Sequence, residues 1–204
     1  LQAMTTEFDI NDYRIAVDCA LGLAVAPFDG DTHDELFKHA HLALQHVKKH
    51  RINAACYYEP YMKALEEERY FYINALKSAI NEQQFCVYYQ PKVNLLTNQV
   101  VGAEALLRWN HPERGFIAPS DFIPIAEESG QITDITKWII ETACQDCAQW
   151  HLLGYHHLNI AVNLSAIDFR RGNLPQIVMR ALKNSRLSAN ALELEITESI
   201  IFDD

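Results

Sequence analysis

Glu104 and Arg108 interrupt the apolar run Val100-Val101-Gly102-Ala103-Glu104-Ala105-Leu106-Leu107-Arg108-Trp109 four residues apart. The pattern recurs twice. Asn163 sits among Leu158, Ile160, Val162 and Leu164, and Glu193 and Glu195 alternate with Leu192, Leu194 and Ile196 before Glu198. Side chains two apart on a strand share a face, so one face of each stretch is apolar and the other carries the polar groups. Glu104 and Arg108 then point the same way about 13 Å apart, at roughly 3.3 Å per residue, too far for a pair of close neighbours unless Arg108 reaches back. Crowded carboxylates resist ionisation unless a cation neutralises them. The oxygen donors Glu104, Asn163 and Glu195 suit a hard cation, Mg²⁺ or Mn²⁺, and not zinc.

The elements that must position these residues follow from periodicity and turn residues. Residues 13–26 read as a strand, 34–50 as a helix capped by Asp31 or Thr32, and 53–58 as a short strand, a β-α-β piece. Residues 60–72 read as a charged connecting helix running on into 73–81. Residues 85–93 read as a strand interrupted by Pro91, and 99–109 as a second strand, antiparallel to it because only Leu96-Thr97-Asn98 turns between them. Helices are predicted over 119–129, with Ser120 as cap, over 133–153, ending at Gly154, and over 174–184. Strands are predicted over 158–165 and 192–199. After the opening hairpin, strands alternate with helices, which implies parallel strands with helices packed outside. In a parallel α/β barrel the polar faces would converge near the C-terminal mouth. Alternation alone is equally met by an open sheet with one solvated face.

Nearly half of the 204 residues are apolar (49%), enough for a packed core, and the net charge of -10 argues against a nucleic-acid polymer or an anionic membrane as partner. Five cysteines without a disulfide framework point to reduced thiols in a cytosolic protein. Cys144 and Cys147 fall inside a helical pattern and read as packing residues, and the nine histidines show no ligand spacing. No apolar run is long enough to span a membrane. The sequence starts without methionine and stops at Phe202-Asp203-Asp204, which reads as a fragment of a longer protein.

Five short motifs in order carry a resemblance: Tyr89-Gln90-Pro91; Glu104-Ala105-Leu106 with Leu107-Arg108-Trp109; Pro119 to Glu127 (PSDFIPIAE); Asn163-Leu164-Ser165; and Leu194 to Ser199 (LEITES). Together they resemble the EAL domain family of cyclic di-GMP phosphodiesterases over residues 73–204. The N-terminal part resembles the end of a GGDEF domain: Ala20 to Ala24 is similar to its S-x-G-x-A strand, with Ala20 in place of the serine, and Ala40, Ala43, Leu44, Lys48 and Asn53 fit its A-D-x-A-L-Y-x-A-K-x-x-G-R-N segment. His41, Gln45, Arg51 and Ile52 depart from that pattern, and the GGDEF motif would lie upstream of Leu1. The implied organisation is 1–59 GGDEF-like, 60–72 linker helix, and 73–204 the first half of a TIM-barrel-like EAL domain whose first strand is antiparallel.

The resemblance implies two Mg²⁺ or Mn²⁺ ions and hydrolysis of cyclic di-GMP to linear pGpG by the parent protein. Glu104, Asn163 and Glu195 would be metal ligands. Arg108 would contact the dinucleotide through a phosphate or a guanine edge, Gln90 would lie at the ligand's edge, and Glu198 would brace the loop completing the site. An Asp-Asp-Phe-Gly loop, a lysine and a further glutamate would follow after residue 204, and Asp203-Asp204 come too early to be that loop. The alternative is a receptor that binds cyclic di-GMP without cleaving it. A cytoplasmic location, an upstream sensor and a homodimer formed through the EAL domain complete the expectation.

Overall fold

The computed structural model describes residues 8–10, 13–15, 19–50, 54–170 and 173–196. The chain divides into two compact units, Leu1–Phe71 and Tyr72–Asp204.

In the first unit, β1 (Phe8–Ile10) pairs antiparallel with β2 (Tyr13–Ile15), and β3 (Leu21–Leu23) pairs parallel with β4 (Ala55–Tyr57). The strand expected over 13–26 is therefore two strands in two separate sheets, β2 and β3. Alternating apolar residues fit one long strand and two short ones equally, so periodicity could not place that break. Helix α1 (His33–His50) joins β3 to β4. Its start is a reciprocal cap: the Glu35 N–H donates to the Thr32 hydroxyl at 3.3 Å, and the Thr32 N–H donates to the Glu35 carboxylate at 3.2 Å. The Thr32 hydroxyl, with the backbone N–H groups of Asp31 and Thr32, holds the Glu35 carboxyl below its ordinary range. Gly22 lets α1 lie against β3, since a Cβ there would fall 2.1 Å from the Ala40 carbonyl. Ala43 and Val47 face the strands and are buried.

Helix α2 (Pro60–Ala79) is continuous, as the charged and apolar halves of its sequence predict. In the second unit, β5 (Phe85–Asn94) pairs antiparallel with β6 (Gln99–His111), and β6, β8 (Asn159–Leu164) and β9 (Leu192–Ile196) run parallel, giving the order β5-β6-β8-β9. The short strand β7 (Gly115–Ile117) pairs with the end of β6. Pro91 does not interrupt β5: it stays in register opposite Ala103. Among the described residues β5 pairs with β6 alone, and its ladder runs on past Pro91 to Lys92 before the register shifts between Lys92 and Val93.

Helices α3 (Pro119–Ser129) and α4 (Ile132–Leu152) lead into β8, and α5 (Ala166–Arg170) and α6 (Leu174–Ser185) lead into β9. The start of α3 has Ala118 as N-cap and no side-chain cap. The Ser120 hydroxyl instead meets its neighbour Asp121, because Pro119 already fills the first helical position and moves the cap one residue back. Gly130 closes α3 with φ 75°, a left-handed conformation that favours glycine.

The core of this unit lies between the helices and one face of the sheet. Ala103, Ala105, Leu107 and Trp109 of β6 and Ile160, Val162 and Leu164 of β8 are all buried, as are Ile135, Ile139, Ala143, Cys144 and Cys147 of α4. Trp109 is fully buried against Phe85 and Phe122, and its indole N–H donates to Gln84 Oε1 at 2.9 Å. Burial pushes the Cys144 and Cys147 thiols up to about 12 and about 11, as inert packing residues require. Burial, together with a hydrogen bond donated to Asp146, keeps the Tyr89 hydroxyl protonated well above its ordinary range.

Gly102 sets the spacing of the central strands. A Cβ there would stand 2.6 Å from the Asn159 carbonyl oxygen, a backbone atom that cannot swing away. Gly102→Ala is expected to push β6 from β8 and cost about 1–3 kcal/mol, measured as a lowered urea midpoint with an unchanged slope.

Candidate functional site

The burial of one face of β6 and β8 turns Gln90, Glu104, Arg108, Asn163 and Glu195 to the opposite face. Cross-strand register then sets their order. Gln90 stands opposite Glu104, and Lys92 opposite Gly102, in the β5–β6 ladder. Glu104 stands opposite Ala161, Ala161 opposite Glu193, and Asn163 opposite Glu195.

Two of the expected residues touch. The Asn163 amide donates from Nδ2 to Glu104 Oε1 at 2.5 Å. A half-turn of that amide would present its oxygen instead. Glu195 lies on the next strand beside Asn163 and is held at Oε1 by the Lys92 ammonium at 2.6 Å. Lys92 also binds Glu193 Oε2 at 2.9 Å. Arg108 does not reach back to Glu104. Its Nη1 donates to the neighbouring Leu107 carbonyl at 2.8 Å, and its guanidinium lies 5.4 Å from the centre of the Tyr88 ring. Gln90 is exposed beside Glu104. Glu198 lies outside the described residues.

Sequence reasoning missed Lys92. The signal was present: Lys92 shares a face with Gln90, and two glutamates on the polar face of β9 need a counter-charge. The two carboxylates raise the Lys92 pKa, Glu195 most of all, and the lysine in turn lowers that of Glu193. The support of the loop after Asn163 was also missed. The Ser165 hydroxyl donates to Glu127 Oε1 at 2.7 Å, tying that loop to α3. Asp168, fully buried, accepts from the Ser165 N–H at 3.1 Å and from the Thr136 hydroxyl at 2.8 Å through the same oxygen, Oδ2. The Ser165 hydroxyl in turn accepts from the Ile167 N–H at 3.3 Å, so Ser165 and Asp168 together cap the start of α5, a signal legible in Ser165-Ala166-Ile167-Asp168.

A cavity of about 390 Å³ opens beside these groups, between the ends of β6 and β8 and helices α3 and α4. Arg108, Asn163, Ser165 and Glu127 line it with Ile123 and Ile135. The β6–β8 ladder ends at Ala105 and Val162, and β7 takes up β6 only from Trp109, so Leu106 to Arg108 border the gap.

The donor chemistry fits a hard divalent cation. Glu104 and Asn163 already meet at one point, and Glu195 adds a second carboxylate next to Asn163. Among the described residues, no group of three or more His, Cys, Asp and Glu side chains forms a metal cluster; the Asn163 amide oxygen would be the third donor beside Glu104 and Glu195.

Residues 73–204 match the family model for the EAL domain. The chain belongs to the EAL domain family. Its fold is the TIM-barrel-like α/β fold of that family, present in part. The chain is 35% identical over all of its 204 residues to a Pseudomonas aeruginosa protein named bifunctional diguanylate cyclase/cyclic di-GMP phosphodiesterase MucR, and spans 30% of that relative's length. It is 32% identical over 201 residues, 98% of the chain, to the cyclic di-GMP phosphodiesterase NbdA of the same organism, spanning 26% of it. A solved structure of the PaMucR phosphodiesterase in complex with c-di-GMP aligns with a TM-score of 0.63 and 40% identity, covering 66% of this chain and 54% of the solved one. The chain thus spans less than a third of the curated relatives named here.

Asp168→Ala is expected to leave the Ser165 N–H and the Thr136 hydroxyl without their acceptor and to cost about 1–3 kcal/mol. Asp168→Asn, which keeps one acceptor oxygen, should cost less; chemical denaturation of the two variants in parallel checks the order.

Proposed function

We propose that the full-length protein carrying this chain hydrolyses cyclic di-GMP to linear pGpG with Mg²⁺ or Mn²⁺, in second-messenger signalling. The observation that carries the reading is the Glu104–Asn163 contact with Glu195 on the adjoining strand. It gathers hard oxygen donors on the polar face of an EAL-domain sheet, beside a cavity bordered by a cationic side chain. The relatives named as cyclic di-GMP phosphodiesterases support the same substrate.

In this reading Glu104, Asn163 and Glu195 hold the cation. When bound, it stabilises developing charge on the attacking and leaving oxygens of a phosphodiester. Arg108 offers a planar set of donors to a phosphate or a guanine edge. To reach either it gives up a bond to a neighbouring backbone carbonyl and its place over the Tyr88 ring. Gln90, exposed beside Glu104, orients the ligand's edge. The Ser165–Glu127 and Ser165–Asp168 bonds fix the loop after Asn163 and so hold its amide in place. Glu198, outside the described residues, keeps in this proposal the role of bracing the loop that completes the metal site.

The proposed organisation keeps residues 1–59 as the end of a GGDEF-like domain, 60–72 as a linking helix and 73–204 as EAL domain. No helix among the described residues is long and apolar enough to cross a membrane, and we place this part of the protein in the cytoplasm. An upstream sensor and pairing with a second copy through the EAL domain belong to the same proposal.

The test incubates the full-length protein with cyclic di-GMP and Mg²⁺ and follows pGpG by chromatography. Turnover that Glu104→Ala reduces by about a hundredfold or more is expected from loss of a charged group acting in the transition state. Tight binding of cyclic di-GMP without product would replace the enzyme by a receptor.

A further inference from the structure

We infer that Lys92 is a cross-sheet counter-ion, partly open to solvent, that positions Glu195 and competes with a divalent cation for its carboxylate. The inference rests on the proposal that Glu195 is a metal donor, and assigns a role to a residue outside that donor set.

The geometry is unusual for a surface ion pair. Lys92 stands on β5 and its partners Glu193 and Glu195 on β9, with β6 and β8 between them in the sheet. In a flat sheet, three spacings of about 4.8 Å would separate those backbones. The contacts of 2.6 and 2.9 Å therefore run across the concave face of a curled sheet. Gly102, opposite Lys92 on β6, has no side chain to stand in the way. Glu193 has a second partner in the Asn159 amide at 3.4 Å. Lys92 enters from the strand layer next to that of Gln90 and Glu104. One positive charge thus already sits on the carboxylate that the cation must use. An ammonium seated on a ligand carboxylate opposes a dication twice, by occupying an oxygen and by like-charge repulsion. Without the metal, the same ammonium offsets repulsion between Glu193 and Glu195.

The experiment titrates Mn²⁺ into the full-length protein by calorimetry, comparing wild type with Lys92→Met, Lys92→Gln and Lys92→Arg, and records each melting temperature with and without Mn²⁺. Both neutral variants are expected to bind Mn²⁺ about tenfold more tightly than wild type, and the arginine variant within about twofold of it. The neutral variants should melt lower without metal and recover more on its addition. An ordinary structural ion pair would shift melting and leave affinity alone. Unchanged or weaker Mn²⁺ binding in the neutral variants overturns the role given to Lys92, while wild-type binding leaves the metal reading standing. Failure of wild type itself to bind Mn²⁺ overturns both.

Discussion

The site depends on which face of β6 is dry. Ala103, Ala105, Leu107 and Trp109 are 8%, 2%, 8% and 0% exposed, and the apolar faces of α3 and α4 cover this side of the sheet. A slip of one residue would turn this whole set to the polar face and drive Glu104 and Arg108 into the core. Burying an unpaired carboxylate or guanidinium costs far more than any gain from the slip. Trp109 reinforces the register with a directional bond to Gln84, which an out-of-register indole would lose. Once β6 is fixed, the registers of its parallel pairing with β8, and of β8 with β9, bring Asn163 onto Glu104 and set Glu195 opposite Asn163.

The concave face so formed concentrates Glu104, Glu193 and Glu195 against Lys92 and Arg108. Each carboxylate is partly solvated, so the face is tolerable without a metal, yet two of them end in contacts that a cation can replace. Glu104 is met by an amide that can present oxygen in place of nitrogen, and Glu195 by an ammonium that can withdraw. The rigid parts lie just behind: Gly102 fixes the strand spacing, and Asp168 with Glu127 fixes the loop after Asn163. A stiff frame carrying exchangeable contacts is what the proposed cation site would require of its protein.

Much of this was legible in the sequence, for reasons that can be named. Strand alternation separated Ala103, Ala105 and Leu107 from Glu104 and Arg108, and Gly130 marked the end of α3. The brevity of Leu96-Thr97-Asn98 made β5 and β6 antiparallel. The rest depended on contacts distant in sequence. Lys92 meets Glu195 across 103 positions, and no local pattern announces that pair. Pro91 read as a break because proline lacks an N–H, yet the ladder to β6 continues through it, opposite Ala103. β7 and α5 are too short to show a period. The residues of 13–26 alternate as one strand would, yet β2 and β3 take different partners, which only the folded chain decides. Composition and spacing left open whether the polar face meets solvent or a barrel interior; the motifs and the family match supplied that answer.

The central claim is that Glu104, Asn163 and Glu195 form one cation site on the concave face of this sheet. Anomalous diffraction from crystals of the full-length protein soaked in Mn²⁺ tests it most directly. The account predicts an anomalous peak within bonding distance of Glu104, of the Asn163 amide oxygen and of Glu195, at about 2.0–2.2 Å, the range of oxygen ligands to small divalent ions. A peak bound elsewhere, with the Asn163 amide still donating to Glu104 and Lys92 still seated on Glu195, would contradict it.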